Sequence, residues 1–397
     1  MNVLLLSAFH GGSHQAWAEG WQRQSRHQIE IVSLPDRFWK WRLHGGALSL
    51  ADQVRERVVS GARWDRIVVT DMVDLTTFLA LTRDLFADTP VLYYAHENQW
   101  TYPLPQDPTT GPMRRQHGER DRHYAFINFS SMLAADRVCF NSRFHREEFL
   151  AALPAFLNHY PDEKNPDWIE RIAAKSEVLS LGIDLARLDL AETKIPVKVS
   201  PPKAEEDVPL VLWNQRWEYD KDPGAFFGAW IALAEEGFVF ELAVCGENQR
   251  LEAGEFDRAR RQLGDRIVHW GFAAESLYRE LLWRADITLS TSRHEFFGTA
   301  ICEAMYCRTW TLLPNRLNYP DLVPVALHDR LLYGNDSELL DRARWALTHG
   351  EERRVQAEEL RRAAGSHDWS ERVMDYDRAV SETATGPRSK SESGGAM

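Results

Sequence analysis

Twelve short apolar runs restrict the fold of this chain more than any other feature. Six lie in the first half: VLLLS (3–7), IEIVS (29–33), RIVVT (66–70), VLYYA (91–95), RVCFNS (137–142) and EVLSLG (177–182). They are continuous runs, without polar alternation, which marks strands buried on both faces of a parallel sheet under helices. The spacing leaves room for a crossover helix each time. A segment rich in Pro, Lys and Glu follows, DLAETKIPVKVSPPKAEEDVPL (189–210), with no apolar period. It reads as a linker. Then the alternation restarts with PLVLW (209–213), FELAVC (240–245), RIVHW (266–270), DITLS (286–290), TWTLL (309–313) and RLLYG (330–334).

This pattern predicts an α/β chain of two doubly wound, Rossmann-like domains facing a cleft. The expected boundaries are 1–188 for the first domain, 189–208 for the linker and 209–365 for the second domain. A C-terminal helix is expected over 366–384 and a disordered polar tail over 385–397. The length of 397 residues and a hydrophobic content of 44% suit two sizeable cores. Open α/β sheets bind ligands beyond the C-terminal ends of their strands, so functional residues should follow strands.

Net charge is −12, which argues against non-specific coating of nucleic acid or anionic membrane. The deficit is uneven. Residues 1–185 hold 20 basic and 23 acidic side chains, and the remainder 27 and 36. The first half is therefore the better candidate to meet a polyanion. Cys139, Cys245, Cys302 and Cys307 form no CxxC pair, and each lies in an apolar stretch. Buried free thiols in a reducing compartment fit this best. The start, MNVLLLSAFHGG, has no basic leader and reads as a first strand. No apolar run approaches a membrane span, so a soluble cytoplasmic protein is expected, with no membrane partner. The residues specify no oligomeric state.

Several strand ends carry chemistry. After the first strand, Gly11-Gly12 permits a close turn and Ser13 can cap a following helix. That helix end suits an anion such as a diphosphate, although an ordinary βα turn needs the same residues. After the fourth strand, His96, Glu97, Asn98 and Gln99 stand in a row, with Trp100 and Tyr102 fixing the loop. Polar forks beside aromatic faces are how sugars are held. Residues 111–126 are locally basic, with Arg114, Arg115, Arg120 and Arg122 against Glu119 and Asp121. They read as a solvated helix face or as a phosphate-contacting surface. After the first strand of the second domain, Arg216 and Lys221 can neutralise a diphosphate. They can equally be a surface pair oriented by Asp220 and Asp222.

The densest pattern is SRHEFFGTAICEAMYCR (292–308). Gly298 permits close backbone approach, and Thr299 can cap a helix running through AICEAMYC. Glu303, four residues past Thr299, shares its helix face and leans back toward the loop. Glu295 comes from the loop's other side. Two acids flanking free helix N–H groups suit a nucleotide sugar, with hydroxyls at the sides and phosphate between.

These residues resemble the retaining, two-domain GT-B glycosyltransferases with an E-x7-E motif, here Glu295 to Glu303. The Arg216 and Lys221 pair, the Gly11-Gly12 turn and WGF at 270–272 match by place, over nearly the whole chain. Two longer stretches, LLLSAFHGGSHQAWAEGW and AHENQWTYP, are similar to the tRNA-queuosine mannosyltransferase family. The resemblance implies transfer of mannose from GDP-mannose to queuosine in tRNA(Asp), with retention and without a metal or other cofactor. It implies Arg216 and Lys221 on the donor diphosphate and Glu303 on the ribose. Glu295, with Phe296, Phe297, Gly298 and Thr299, would hold the sugar, with His96 near the reacting centre. Trp270, Gly271 and Phe272 would line the base pocket, and Gly11, Gly12 and Ser13 would approach the diphosphate. The acceptor side would fall to His10, His14, Glu97, Asn98, Gln99, Arg114 and Arg115. Phosphate contacts to tRNA would come from the Arg114 to Arg122 segment with Arg137, Arg143 and Arg146. The alternative is another retaining glycosyltransferase with the same donor site and a polysaccharide, lipid or small-molecule acceptor.

Overall fold

A computed structural model describes residues 1–102, 113–162, 164–191, 208–246 and 254–384, and for 113–121, 190 and 191 the backbone alone. The expected linker from 192 to 207, the tail from 385, and the side chains of Arg114, Arg115 and Arg120 lie outside the described residues.

All twelve apolar runs are strands: β1 (Asn2–His10), β2 (Gln28–Pro35), β3 (Arg66–Thr70), β4 (Val91–Ala95), β5 (Arg137–Phe140), β6 (Ser176–Val178), β7 (Leu210–Trp213), β8 (Glu241–Cys245), β9 (Ile267–Gly271), β10 (Ile287–Leu289), β11 (Trp310–Pro314) and β12 (Leu332–Tyr333). They form two six-stranded sheets, ordered β2-β1-β3-β4-β5-β6 and β12-β11-β10-β7-β8-β9. Every pairing is parallel, for example Leu5 with Ile31 and Val68, or Ile287 with Val211 and Trp310. Several boundaries differ from expectation; β12 keeps only Leu332–Tyr333 because Arg330 and Leu331 belong to the preceding helix. β5 stops at Phe140 because Ser142 leaves the strand to accept the His145 amide at 3.1 Å and cap the next helix. β6 ends at Val178, and the following backbone turns away after Leu179 N bonds Phe140 O.

The chain divides into two units. The first comprises Met1–Tyr102, the chain from Met113 to Gly182, and the C-terminal helix from Arg372. Its core gathers Leu4, Leu6, Val32, Leu50, Ile67, Val69, Phe78, Tyr93 and Phe140. The C-terminal helix joins it through polar bonds between aromatic rings. Trp17 Nε1 donates to Tyr376 Oη (3.1 Å), Tyr376 Oη donates to Tyr94 Oη (2.7 Å), and Trp21 Nε1 donates to Asp377 (3.0 Å). Buried Trp and Tyr polar atoms need such partners. The second unit runs from Ile183 to Glu371 and buries Leu212, Trp213, Phe226, Trp230, Leu242, Ile287, Leu289 and Trp310. Among the described residues no helix is long and apolar enough to cross a membrane.

Candidate active site

In the second unit β7 and β10 are adjacent and parallel, so the loops at their C-terminal ends meet. Residues 214–222 therefore lie against 290–298. The contact is dense: Arg293 N donates to Asp220 O (2.8 Å), and Thr291 Oγ1 donates to Lys221 O (2.8 Å). Ser292 Oγ donates to Gln215 Oε1 (2.8 Å). Lys221 is buried at this junction. Its ammonium donates to the His294 carbonyl (3.0 Å) and Glu295 Oε2 (3.2 Å), and it lies 3.1 Å from Asp220 Oδ2. Burial opposes its charge, but Glu295 and then Asp220 outweigh that and hold the Lys221 pKa above its ordinary value. Burial likewise pushes the Glu295 carboxyl up, and the Lys221 charge more than reverses this, so Glu295 titrates below its ordinary value. The loop acid is thus fixed as an ionised acceptor. Burial, and then the Lys221 charge, push His294 down to about 4, so its ring is neutral at physiological pH.

Arg216 sits at the same strand end with 65% of its side chain exposed, 3.3 Å from Glu218. Gly298, at φ +108°, ends the loop and is the residue before the helix Thr299–Tyr306. A Cβ there would meet Leu322 at 2.9 Å in a backbone region that side chains rarely adopt. Thr299 is the first helical residue and makes no side-chain cap, because Gly298 already occupies the capping position. Phe296 and Phe297 are buried, and Asn318 Nδ2 fixes the Phe297 carbonyl at 2.9 Å.

Glu303 is one turn into that helix and buried. Its Oε2 accepts from Tyr278 Oη at 2.7 Å, and its Oε1 pairs with Arg187. Asn214 Nδ2 donates to the Ala300 carbonyl (2.7 Å), linking the end of β7 to the start of the helix. Trp270 lies on β9 against Trp217 (ring centroids 5.4 Å apart), Phe227 and Phe256, while Phe272 is 71% exposed. Gly271 O accepts from Gly246 N (3.0 Å).

In the first unit the corresponding edge carries the β1, β3 and β4 loops. A Cβ on Gly11 would fall 2.0 Å from the Asp36 carboxylate, so this position takes no side chain. The helix begins at Gly12 with Gly11 before it, which puts Ser13 inside the first turn and not at the cap. His96 follows β4. Asp71, at the end of β3, accepts both His96 N (2.9 Å) and His96 Nδ1 (3.3 Å) on one carboxylate oxygen. The other ring nitrogen, Nε2, is buried and has no hydrogen-bond partner among the described residues. The imidazole is packed edge-on to Trp17 (4.5 Å) and against His14 (4.5 Å). His10 Nε2 lies 3.6 Å from Glu19. His14, Asp71 and His96 offer donor atoms all within 4.8 Å of one another.

Three expectations need correction. Asn98 is fully buried, and its oxygen accepts Trp100 N, Thr101 N and Thr101 Oγ1, so it builds the turn and does not face an acceptor. Gln99 N bonds Asn128 Oδ1 and its side chain reaches Glu97, which leaves these two as the half-buried polar pair of the loop. Arg137 and Arg146 are spent inside the unit, on Glu177 with Ala379 O, and on Ser176 with Ala173 O, respectively. They do not form a phosphate-contacting surface.

Sequence reasoning missed Asp71, Gln215, Trp217, Arg187 and Tyr278; it named Asp220 as a partner of Lys221 but placed the pair on the surface, whereas both are buried. Asp71 closes β3, so the rule that functional residues follow strands points at it. Arg187 and Tyr278 carry no local signal, since only the packing of distant segments brings them to Glu303.

The fold is that of the two-domain GT-B glycosyltransferases. Solved structures with this architecture include the catalytic domain of Arabidopsis thaliana starch synthase IV bound to ADP and acarbose (TM-score 0.69, 12% identity, 96% of this chain and 99% of that one). Sucrose-phosphate synthase from Thermosynechococcus elongatus matches with a TM-score of 0.64 at 14% identity over 95% and 98%. Anabaena HepE in complex with UDP and glucose matches with 0.62 at 15% over 96% and 98%. At these identities the likeness concerns the fold alone. Residues 2–183 match the tRNA-queuosine alpha-mannosyltransferase N-terminal family, and residues 197–363 match glycosyl transferases group 1. A Drosophila melanogaster tRNA-queuosine alpha-mannosyltransferase is 31% identical over 324 residues, 81% of this chain and 82% of that protein. The chain belongs to the tRNA-queuosine alpha-mannosyltransferase family of glycosyltransferases.

Proposed function

We propose that this chain moves mannose, with retention, from GDP-mannose to the queuosine of the tRNA(Asp) anticodon, as a cytoplasmic enzyme without a resident metal. The observation that carries the donor half is the buried Lys221–Glu295 pair at the meeting of the β7 and β10 loops, with exposed Arg216 beside it. Glu295, kept ionised by Lys221, accepts hydroxyls of the transferred sugar, and the backbone of 296–299 lies against it. Arg216 and the positive charge of Lys221 compensate the diphosphate as it leaves. Glu303, held by Tyr278, takes ribose hydroxyls, which must share Oε1 with Arg187. Trp217, Trp270 and Gly271 form the base side.

The family resemblance assigns His96 to the reacting centre, and Asp71 sets its ring. The acceptor hydroxyl attacks the anomeric carbon from the face the diphosphate leaves. One C–O bond forms as the other breaks, and the departing phosphate oxygen takes the acceptor's proton. The acceptor half rests on family membership.

The test is incubation of the purified chain with GDP-mannose and queuosine-containing tRNA, read by mass spectrometry of the nucleosides. An added hexose on queuosine is the expected result. Folded protein that hydrolyses GDP-mannose yet leaves queuosine unchanged would transfer the reading to another acceptor.

A further inference from the structure

The stretch Arg37-Phe38-Trp39-Lys40-Trp41-Arg42 interleaves three cations with three aromatic rings at the end of β2 and the start of the helix Trp39–Val59. Of the residues adjoining this stretch in sequence, Asp36 is acidic. Phe38 is held in the left-handed region at φ 55°, where a bulky side chain is strained, and its ring is 76% exposed. The Phe38 carbonyl accepts the amides of Trp41 (2.8 Å) and Arg42 (3.0 Å), so the strained turn also starts the helix.

The rings divide into anchors and free faces. Trp39 packs on Tyr124 (5.5 Å) beside the small core of Leu43, Met72 and Ile127. Lys40 Nζ stands 5.2 Å over Trp39. Trp41 lies along the helix over Gly45, where a Cβ would touch its ring at 2.9 Å, and stays 57% exposed. The exposed His44 and His123 pair at 2.8 Å beside it. The Trp41 indole covers Gly45 with one face and, like the strained Phe38 ring, remains mostly exposed beside the cations.

We infer that Arg37, Phe38, Lys40, Trp41, His44 and His123 form the RNA-docking face of this chain, taking phosphates of the anticodon loop on the cations and unstacked bases on Phe38 and Trp41. Aromatic platforms between cations are how single-stranded RNA is gripped. A local positive face answers how a chain of net charge −12 meets a polyanion. Position agrees. β2, β1, β3 and β4 are consecutive and parallel, so the patch shares the C-terminal edge of this sheet with His14, Asp71 and His96. Three strand spacings separate β2 from β4, roughly 14 Å. The inference rests on the proposed tRNA acceptor.

The experiment compares the full-length protein with Trp41→Ala, with Phe38→Gly and with the Arg37→Ala, Lys40→Ala double variant. It measures binding of unmodified and queuosine-containing tRNA across a salt series, GDP binding, thermal melting and hexose transfer. Trp41→Ala should weaken tRNA binding by about tenfold or more. The double variant should lower the salt slope by about 1 to 2. GDP binding should be unchanged. Phe38→Gly relieves the strained backbone, so it should melt at the same or a higher temperature and still bind tRNA more weakly. A purely structural role, or a protein partner here, predicts unaltered tRNA affinity and salt slope in all three, and that result overturns the inference. Absence of tRNA binding by the wild type overturns it too. If the wild type binds tRNA but does not glycosylate queuosine, the proposed acceptor falls, while weaker binding by the variants still upholds the docking face.

Discussion

Glu295 and Lys221 meet at 3.2 Å across the loops that close β10 and β7, in a place where the ammonium is 7% exposed. The same ammonium lies 3.1 Å from Asp220, whose side chain is 1% exposed. Removing one member of a buried ionic cluster leaves charge without compensation. Lys221→Met should therefore cost about 3–5 kcal/mol of folding stability, measured by urea denaturation, besides abolishing transfer. Adding Asp220→Asn should recover part of that stability and none of the activity. A Lys221→Met protein as stable as the wild type would show that Asp220 and Glu295 are not held by this charge.

Arg216 separates catalysis from folding. Its guanidinium is mostly exposed, so little of the fold depends on it. Arg216→Ala should leave the melting temperature within a degree or two, since surface changes rarely exceed about 0.5 kcal/mol. Turnover should fall by about 10²–10³, the usual loss when a donor to developing anionic charge is deleted. Steady-state kinetics with GDP-mannose decide it. Unchanged kcat/KM would take Arg216 off the diphosphate.

His96 needs its partner. Asp71 takes the His96 backbone amide and ring Nδ1 on one oxygen; burial pushes its carboxyl up, and the His96 hydrogen bond and charge outweigh this and hold it below its ordinary value. Asp71→Asn keeps the shape and loses the charge-assisted bond, worth about 1.5–3 kcal/mol. The expected result is kcat lower by about ten- to a hundredfold with GDP affinity unaltered. The same cluster, with His14, has donor atoms close enough to ligate a cation. A chelator should leave transfer unaffected. Loss of activity on chelation, restored by a divalent metal, would replace the hydrogen-bonded arrangement with a metal centre.

The strands were legible because a buried parallel strand must be apolar on both faces, and the central runs are, while β6 and β9 at the sheet edges are only partly buried. Loops at strand ends were legible where several polar residues cluster, as at His96 to Gln99 and Glu295 to Glu303. The functions inside those clusters were less so. Asn98 has the right chemistry for a ligand, yet its three local bonds consume it, and only the turn geometry reveals that. Arg137 and Arg146 read as surface cations until the neighbouring strand and helix supply their acceptors. Arg187 reaches Glu303 across more than a hundred residues of chain, which no local pattern encodes. The aromatic-basic run at 37–42 is visible in the sequence, but without the exposure of Phe38 and Trp41 it reads as ordinary helix packing.

His294 gives the site a pH signature. It is buried beside Lys221, and its pKa falls from 6.5 to about 4 in the folded protein. Between those values the unfolded chain binds a proton that the folded chain refuses, so stability drops as pH falls. The loss begins near pH 6.5, reaches at most about 1.4 kcal/mol per pH unit, and ends near pH 4. Glu295 acts in the same direction through a different window. Its lowered pKa gives stability above 4.5 that is lost only below it, as the folded carboxylate takes up its proton. The two groups are therefore separable. His294→Gln should flatten the dependence of unfolding free energy on pH between about 6.5 and 5 and leave the steeper loss below 4.5 in place. Urea titrations at half-unit pH steps measure both limbs. An identical slope between 6.5 and 5 in the variant would mean that His294 accepts its proton in the fold, and that the Lys221 charge does not reach it.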